Sequence, residues 1–279
     1  MTFSIVAWDP DTREWGVAVA SKFLAAGAVV PWVRAGAGAV ATQAHANITF
    51  GPRGLDLLGS KRADEVLEQL LETDEGREHR QVGVVDRHGQ AASFTGTECF
   101  DWAGGHAGDG FTCQGNILAG PGVVGDMGAA FEAATGDFPG RMLAALLAGD
   151  RAGGDRRGRQ SAAMLIAREG GGYLGDSDIA LDLRVDDHSD PVVELGRLLD
   201  IHRLLFPHPD HLDFIPIDPE LAPRLAQALT KAGFATSSNA YDADLERALL
   251  GWVGTENLEM RWSDDGTIDR TVLRILLGD

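Results

Sequence analysis

The chain opens on short apolar runs separated by turn residues. Phe3–Trp8 (FSIVAW) is apolar and rich in strand formers, Asp9-Pro10-Asp11-Thr12 is turn chemistry, and Trp15–Ser21 (WGVAVAS) runs back, which predicts a hairpin. Strands are predicted again over Ala28–Val33 and Gly38–Gln43. None of these runs alternates cleanly between polar and apolar positions, the pattern of strands buried on both faces. From Leu55 to Glu72 the residues Leu55, Leu58, Ala63, Val66, Leu67, Leu70 and Leu71 recur at helical spacing, so one helix is expected there. Gln81–Asp86 and Gln90–Thr95 flank the turn Arg87-His88-Gly89, and Phe111–Leu118 is a further strand. Helices are expected near Val123–Ala134 and Pro139–Leu147, and strands over Ser161–Arg168 and Ile179–Val185. Asp190 ahead of Pro191 then starts a helix over Val192–Phe206.

Helix groups thus separate runs of hairpin-linked strands without alternating as βαβ units, which predicts an α+β sandwich in layers. Five of the 11 prolines lie between Pro207 and Pro223, where regular structure stops. A boundary is placed there, giving domains over 1–206 and 207–279. The second holds three short helices near Pro219–Gly233, Ala243–Val253 and Ile268–Leu277.

Composition narrows the function classes. Of 279 residues, 44% are hydrophobic and 24% charged, enough for a true core. Lys and Arg number 24 against 42 Asp and Glu, a formal charge of −18. A field of that sign repels phosphate backbones and anionic lipid, so neither nucleic acid nor a membrane surface is an expected partner. Cys99 and Cys113 are too few for a disulfide scaffold or a cysteine-rich zinc site, and they suit a reducing cytoplasm. No apolar run approaches the ~20 residues that span a bilayer. Asp9, Asp11, Arg13 and Glu14 interrupt the first apolar segment, so no secretory signal is expected.

The sharpest chemical feature is the start. Thr2 follows Met1 and directly begins a buried-type strand. Initiator methionine is removed when the next residue is small, which would leave Thr2 carrying both a hydroxyl nucleophile and a free α-amine. That amine has a reference pKa of about 7.7–8.0 against about 10.4 for lysine, a better match for a general base near neutrality. An N-terminal threonine is a known nucleophile–base pairing. The plain alternative is an ordinary Met-Thr start.

The stretch TFSIVAWDPDTREWGVAVASK resembles the leading hairpin of the N-terminal nucleophile (Ntn) hydrolases. Across 2–206 the chain resembles an Ntn-hydrolase-like family described only as a domain of unknown function. The matching stretches are Thr2–Ala7, Gly16–Ser21, Gly27–Trp32, Gly38–Ala44, Gly51–Leu55, Gln81–Asp86, Gln114–Gly120, Gly154–Ala162 and Arg184–His188. The resemblance implies a four-layer αββα sandwich and hydrolysis of a small amide or peptide-like C–N bond through a Thr2 acyl-enzyme, with no metal or organic cofactor. Lys22, just past the second strand, would favour the deprotonated amine, and Ser21 would assist through hydrogen bonding; the competing reading of Lys22 is a solvent-facing strand end. Asn116, in Gln114-Gly115-Asn116, either donates to an oxyanion hole or pins neighbouring backbone. Thr42, Gln43 and Asn47 pose the same choice. Arg156, Arg157 and Arg159, in the loop leading to Ser161, either hold a substrate carboxylate or pair with nearby acids.

Other motifs carry less. Gly120-Pro-Gly-Val-Val-Gly125 matches GxGxxG but is followed by a second helix instead of a strand, against dinucleotide binding. His208-Pro-Asp-His211 and Asp186-Asp-His188 lack zinc-motif spacing. Tyr241–Trp262 with Gly266–Asp269 resembles a small peptidoglycan-binding domain; Trp252 and Trp262 are either sugar platforms or core. The rival to an enzyme is therefore a non-catalytic binding module for peptide or peptidoglycan fragments. Contacts between copies in a homo-oligomer are the remaining use of the tail.

Overall fold

The computed structural model describes residues 2–278. In chain order its first unit holds β1 (Thr2–Asp9), β2 (Glu14–Ser21), β3 (Pro31–Arg34), β4 (Gly38–Ala44), α1 (Phe50–Leu58) and α2 (Ala63–Glu72). It continues with β5 (Arg80–Asp86), β6 (Ala91–Thr95), β7 (Gly104–Gly108), β8 (Phe111–Asn116), α3 (Gly122–Ala133) and α4 (Phe138–Arg151). Then come β9 (Ser161–Ala167), β10 (Ile179–Val185) and α5 (Pro191–Leu205). The chain divides into two compact units between Leu198 and Leu199, inside α5.

The first unit is a mixed α/β fold built on two antiparallel sheets. One has six strands in the order β10-β9-β2-β1-β8-β7, the other four in the order β3-β4-β5-β6. The sheets contact each other through β1, β2, β7, β8 and β9 on one side and β3, β4, β5 and β6 on the other. Val6, Val17, Val19, Ala39, Ala41 and Val85 fill the space between them. Helices α3 and α4 pack on β1, β2 and β8, while α1 and α2 pack on β3, β4, β5 and β6. Every residue of β2 and β8 is buried, and seven of the eight in β1. Covered faces on both sides explain why these strands show no polar alternation. At Gly16 a Cβ would stand 2.6 Å from the Met142 sulfur, so glycine is what lets α4 lie close on β2.

Two local expectations need correction, and one strand lies where none is expected. The helix expected over Leu55–Glu72 is two helices. The chain turns at Gly59-Ser60-Lys61, and the Arg62 N–H donates to Glu65 Oε2 at 2.9 Å to start α2 afresh. The strand expected over Ala28–Val33 starts only at Pro31, after a turn of 3₁₀ helix at Ala26–Ala28. Gly104–Gly108 (GGHAG) is a strand that propensity does not show; its pairing with β8 makes it one.

The second unit contains β11 (Phe214–Pro216), α6 (Leu221–Lys231), α7 (Ala243–Thr255), β12 (Thr267–Asp269) and α8 (Arg270–Leu277). With α1 to α5 this makes eight helices among the described residues. Its core is Leu225, Leu229, Leu245, Leu249, Trp252, Val253, Ile268 and Val272, with Trp262 packed against it. Trp252 is thus a core residue, 5% exposed. Arg261 is the polar keystone of this unit. It donates to the carbonyls of Arg203 (3.1 Å) and Leu204 (2.7 Å) at the end of α5 and to Asp269 Oδ1 at 3.1 Å. Asp269 in turn caps α8 by accepting from the Thr271 and Val272 N–H groups. Lysine cannot reproduce this planar fork, so Arg261→Lys should lower unfolding free energy by about 1–2 kcal/mol, read by urea denaturation.

Candidate functional site

The site is assembled where β1 begins. Alternation along β1 places Thr2, Ser4 and Val6 on the face toward the four-stranded sheet and Phe3, Ile5 and Ala7 on the other. Ser4 Oγ donates to Gln43 Oε1 across the sheets at 2.8 Å, which fixes that assignment. Thr2 sits opposite Asn116 of β8 in the antiparallel ladder. Its Oγ1 lies 3.1 Å from Ser21 Oγ at the end of β2. All three are buried, with Thr2 at 6% and Ser21 and Asn116 at 2% exposure. Ser21 pairs in register with Ser161 of β9, so the strand ends carry a row of small polar side chains.

Behind this row lies a buried amide network. Gln43 Nε2 donates to Gln81 Oε1 (2.8 Å) and Gln114 Nε2 to Ser4 Oγ (2.6 Å). Gln81 Oε1 also accepts from Asn116 Nδ2 at 2.9 Å, and Gln81 Nε2 donates to Thr95 Oγ1 (2.9 Å) and the Gly115 carbonyl (2.7 Å). Each amide therefore has its orientation set by a neighbour, which holds the Asn116 side chain fixed beside Thr2. Gly83 makes room for this: a Cβ there would come within 2.3 Å of Gln114 Oε1. Ala44 and Ile117, directly after Gln43 and Asn116, both hold positive φ, 65° and 51°. A β-branched residue in that region is strained, and such strain is typical of a site that re-aims its backbone.

The remaining candidates divide. Lys22 is exposed. Its N–H donates to Asp155 Oδ2 at 2.7 Å, and its ammonium donates to the Arg159 carbonyl at 3.2 Å. Ser161 Oγ donates to the Phe23 carbonyl at 2.6 Å and accepts from the Ala26 N–H, so it shapes the turn after β2. Arg157 pairs with Asp155 and donates to the Lys22 carbonyl, and Arg159 grips Asp150 with two bonds of 2.8 and 2.9 Å. The arginine loop is thus tied to its own acids, and the exposed Arg156 stands apart from these pairs.

Asn47 belongs to a separate cluster in the β4–α1 loop. It donates to Asp74 Oδ2 at 3.0 Å, where Arg80 also donates from Nε at 2.9 Å. The Arg80 hydrogen bond, helped by Asn47 and the Gly76 N–H, lowers the Asp74 pKa from 3.8 to about 2. A lowered folded pKa means stability that is present above the unfolded value and lost as pH falls toward the folded one. Asp74→Asn should therefore cost about 1–2 kcal/mol at pH 7, and the gap to the native protein should close as pH drops from 4 toward 2. Parallel urea titrations across that range measure it.

Several contributors escape sequence reading. Ser4 and Gln81 look like strand-boundary residues, yet both are fully buried. Asp155 looks like one acid in a glycine–arginine loop, but its side chain is 2% exposed and anchors the Lys22 and Arg157 N–H groups. A cavity of about 420 Å³ adjoins the row at Ser21 and Asp155. Burial pushes the Cys99 and Cys113 thiols up, which makes them poor nucleophiles. Among the described residues no cluster of His, Cys, Asp or Glu is placed to hold a metal ion, and no helix is long and apolar enough to cross a membrane.

Comparison with known proteins adds two family matches. Residues 2–195 match the model described as "Family of unknown function (DUF1028)". Residues 208–276 match one described as "Putative peptidoglycan binding domain". Among solved structures, the crystal structure of protein SPO2555 from Silicibacter pomeroyi, which carries the same DUF1028 label, is similar at 34% identity. The match covers 72% of this chain and 86% of that one, with a TM-score of 0.67. No curated protein matches the chain.

Proposed function

Because the chain belongs to the DUF1028 family, whose description assigns no activity, we propose from the site itself that it is an Ntn-type amidohydrolase with a four-layer αββα sandwich. The observation that carries this reading is the position of Thr2. It is buried at the start of a central strand, with a hydroxyl 3.1 Å away on Ser21 and the Asn116 amide across the ladder. With Met1 removed, the Thr2 α-amine takes the Oγ1 proton as the oxygen attacks the carbonyl carbon of a small amide. Asn116 Nδ2 donates one N–H to Gln81 and has a second for the developing oxyanion. The C–N bond breaks as the ammonium returns its proton to the leaving amine, and water then hydrolyses the Thr2 ester by the same proton route. Lys22 contributes a positive charge at the rim, and Ser21 orients the hydroxyl. Neither metal nor organic cofactor takes part in these steps.

A β-lactone probe followed by peptide mapping tests the proposal. The adduct is expected on Thr2 Oγ1, with a labelling rate that rises with pH as the α-amine loses its proton, for which free α-amines have a reference value of about 7.7–8.0, and then levels. An adduct elsewhere, or none, counts against it.

The match of the second unit favours one other reading, a module that binds peptide or peptidoglycan fragments without turnover. A chain that retains Met1 yet binds such fragments would support that reading, since an amide-linked Met1 leaves Thr2 without its base.

A further inference from the structure

The cavity beside Ser21 has a composition that selects its ligand. Its floor is apolar: Phe3, Ala20 and Val192, each buried. Its charged lining is Asp150, Arg151, Asp155 and Arg159. Three of these four are already committed. Asp150 takes both of its bonds from Arg159, at 2.8 and 2.9 Å. Asp155 is matched by Arg157 and by the Lys22 and Arg157 N–H groups. Arg151, at the end of α4, makes no ion pair among the described residues and is exposed. The spare charge of the cavity is therefore one guanidinium, set above an apolar floor in a protein of net charge −18.

We infer that this cavity binds a small ligand that carries one carboxylate on an apolar body, with Arg151 as the group that selects the carboxylate. A guanidinium meets a carboxylate with two parallel N–H donors, and partial enclosure strengthens the pair relative to open solvent. A volume of about 420 Å³ is at the small end of ligand sites, suited to one acylated amino acid and too small for a folded partner. Ser21 lines the cavity and its Oγ is 3.1 Å from Thr2 Oγ1, so the cavity opens beside the strand end that carries the proposed nucleophile, with Ser21 as the link between them. Assigning the cavity to the same substrate rests on the amidohydrolase reading and makes that substrate a small amide bearing a free carboxylate, such as an N-acyl amino acid. The binding preference itself stands apart from turnover.

The test uses the full-length Thr2→Ala protein, which cannot hydrolyse its ligand by the proposed route, and two probes that differ only in charge. N-acetyl-leucine carries the carboxylate, and N-acetyl-leucinamide replaces it with a neutral amide. Calorimetric titration should show the acid binding about tenfold more tightly than the amide. Adding Arg151→Ala should weaken the acid about tenfold and leave the amide unchanged, while Arg151→Lys should restore part of the difference. Arg151 is exposed, so these variants should fold, and circular dichroism confirms it. Equal affinity for acid and amide, no measurable binding of the acid, or an acid affinity indifferent to Arg151→Ala would each overturn the inference. If the lactone adduct fails to form on Thr2 while the acid still binds through Arg151, the catalytic reading falls and the cavity assignment stands.

Discussion

Thr2→Ala should reduce lactone labelling, and hydrolysis of any amide substrate, by at least about 1,000-fold, while the protein unfolds at nearly the native urea concentration. The expectation follows from what the substitution removes. Alanine keeps the α-amine and the ladder position opposite Asn116 in a central, buried strand, but it takes away the hydroxyl oxygen that forms the ester. Losing a covalent nucleophile typically costs several orders of magnitude. The one hydrogen bond lost, 3.1 Å to Ser21, is worth only about 1 kcal/mol. Thr2→Ser should retain measurable labelling, because a primary hydroxyl in the same place still attacks. Ser21→Ala should fall between the two, slowing labelling without abolishing it. Full labelling of Thr2→Ala would remove Thr2 from the chemistry.

The second large effect is expected in stability. Gln81→Leu should lower the unfolding free energy by about 3–5 kcal/mol. Leucine fits the volume roughly but strands Asn116 Nδ2, leaves Gln43 Nε2 only its 3.3 Å bond to the Gln114 carbonyl, and removes the Gln81 Nε2 donor from the Gly115 carbonyl. Each stranded group in a dry interior costs about 1–3 kcal/mol. Thr95→Val, which removes one acceptor at the margin of the same network, should cost about 1 kcal/mol. Urea unfolding of both variants separates a cooperative network from independent bonds: a Gln81→Leu loss no larger than that of Thr95→Val would contradict the former. Because Gln81 fixes the Asn116 amide, its variants should also label more slowly at equal folded fraction.

The parts of this picture that sequence shows are those where a residue type conflicts with its surroundings. Gln43, Gln114 and Asn116 are conspicuous because each is an amide inside an apolar run, and all three are buried in the network or beside Thr2. Gln81 opens its run, where a polar residue is unremarkable, so nothing marks it as the junction of the network. Asp155 is similarly hidden, since local sequence cannot show that its partners are the N–H of Lys22, more than a hundred residues away, and its own neighbour Arg157. Strand positions follow from turn chemistry in β1, β2 and β5, but GGHAG becomes a strand only through β8. The break between α1 and α2 follows from Gly59 and the new N-terminus at Arg62, which a continuous apolar stripe conceals. Of the two uses the sequence leaves open for the arginine loop, Arg157 and Arg159 take the pairing with acids, Asp155 and Asp150, and it is Arg151 that lines the cavity without an ion pair among the described residues.

Everything catalytic depends on Thr2 having a free amine, and the mass of the intact purified chain reads that directly. The account predicts a mass lower than that of the full 279-residue sequence by one methionine residue, with Thr2 as the first residue on N-terminal sequencing. A chain that keeps Met1 joined to Thr2 in its active preparation would contradict it.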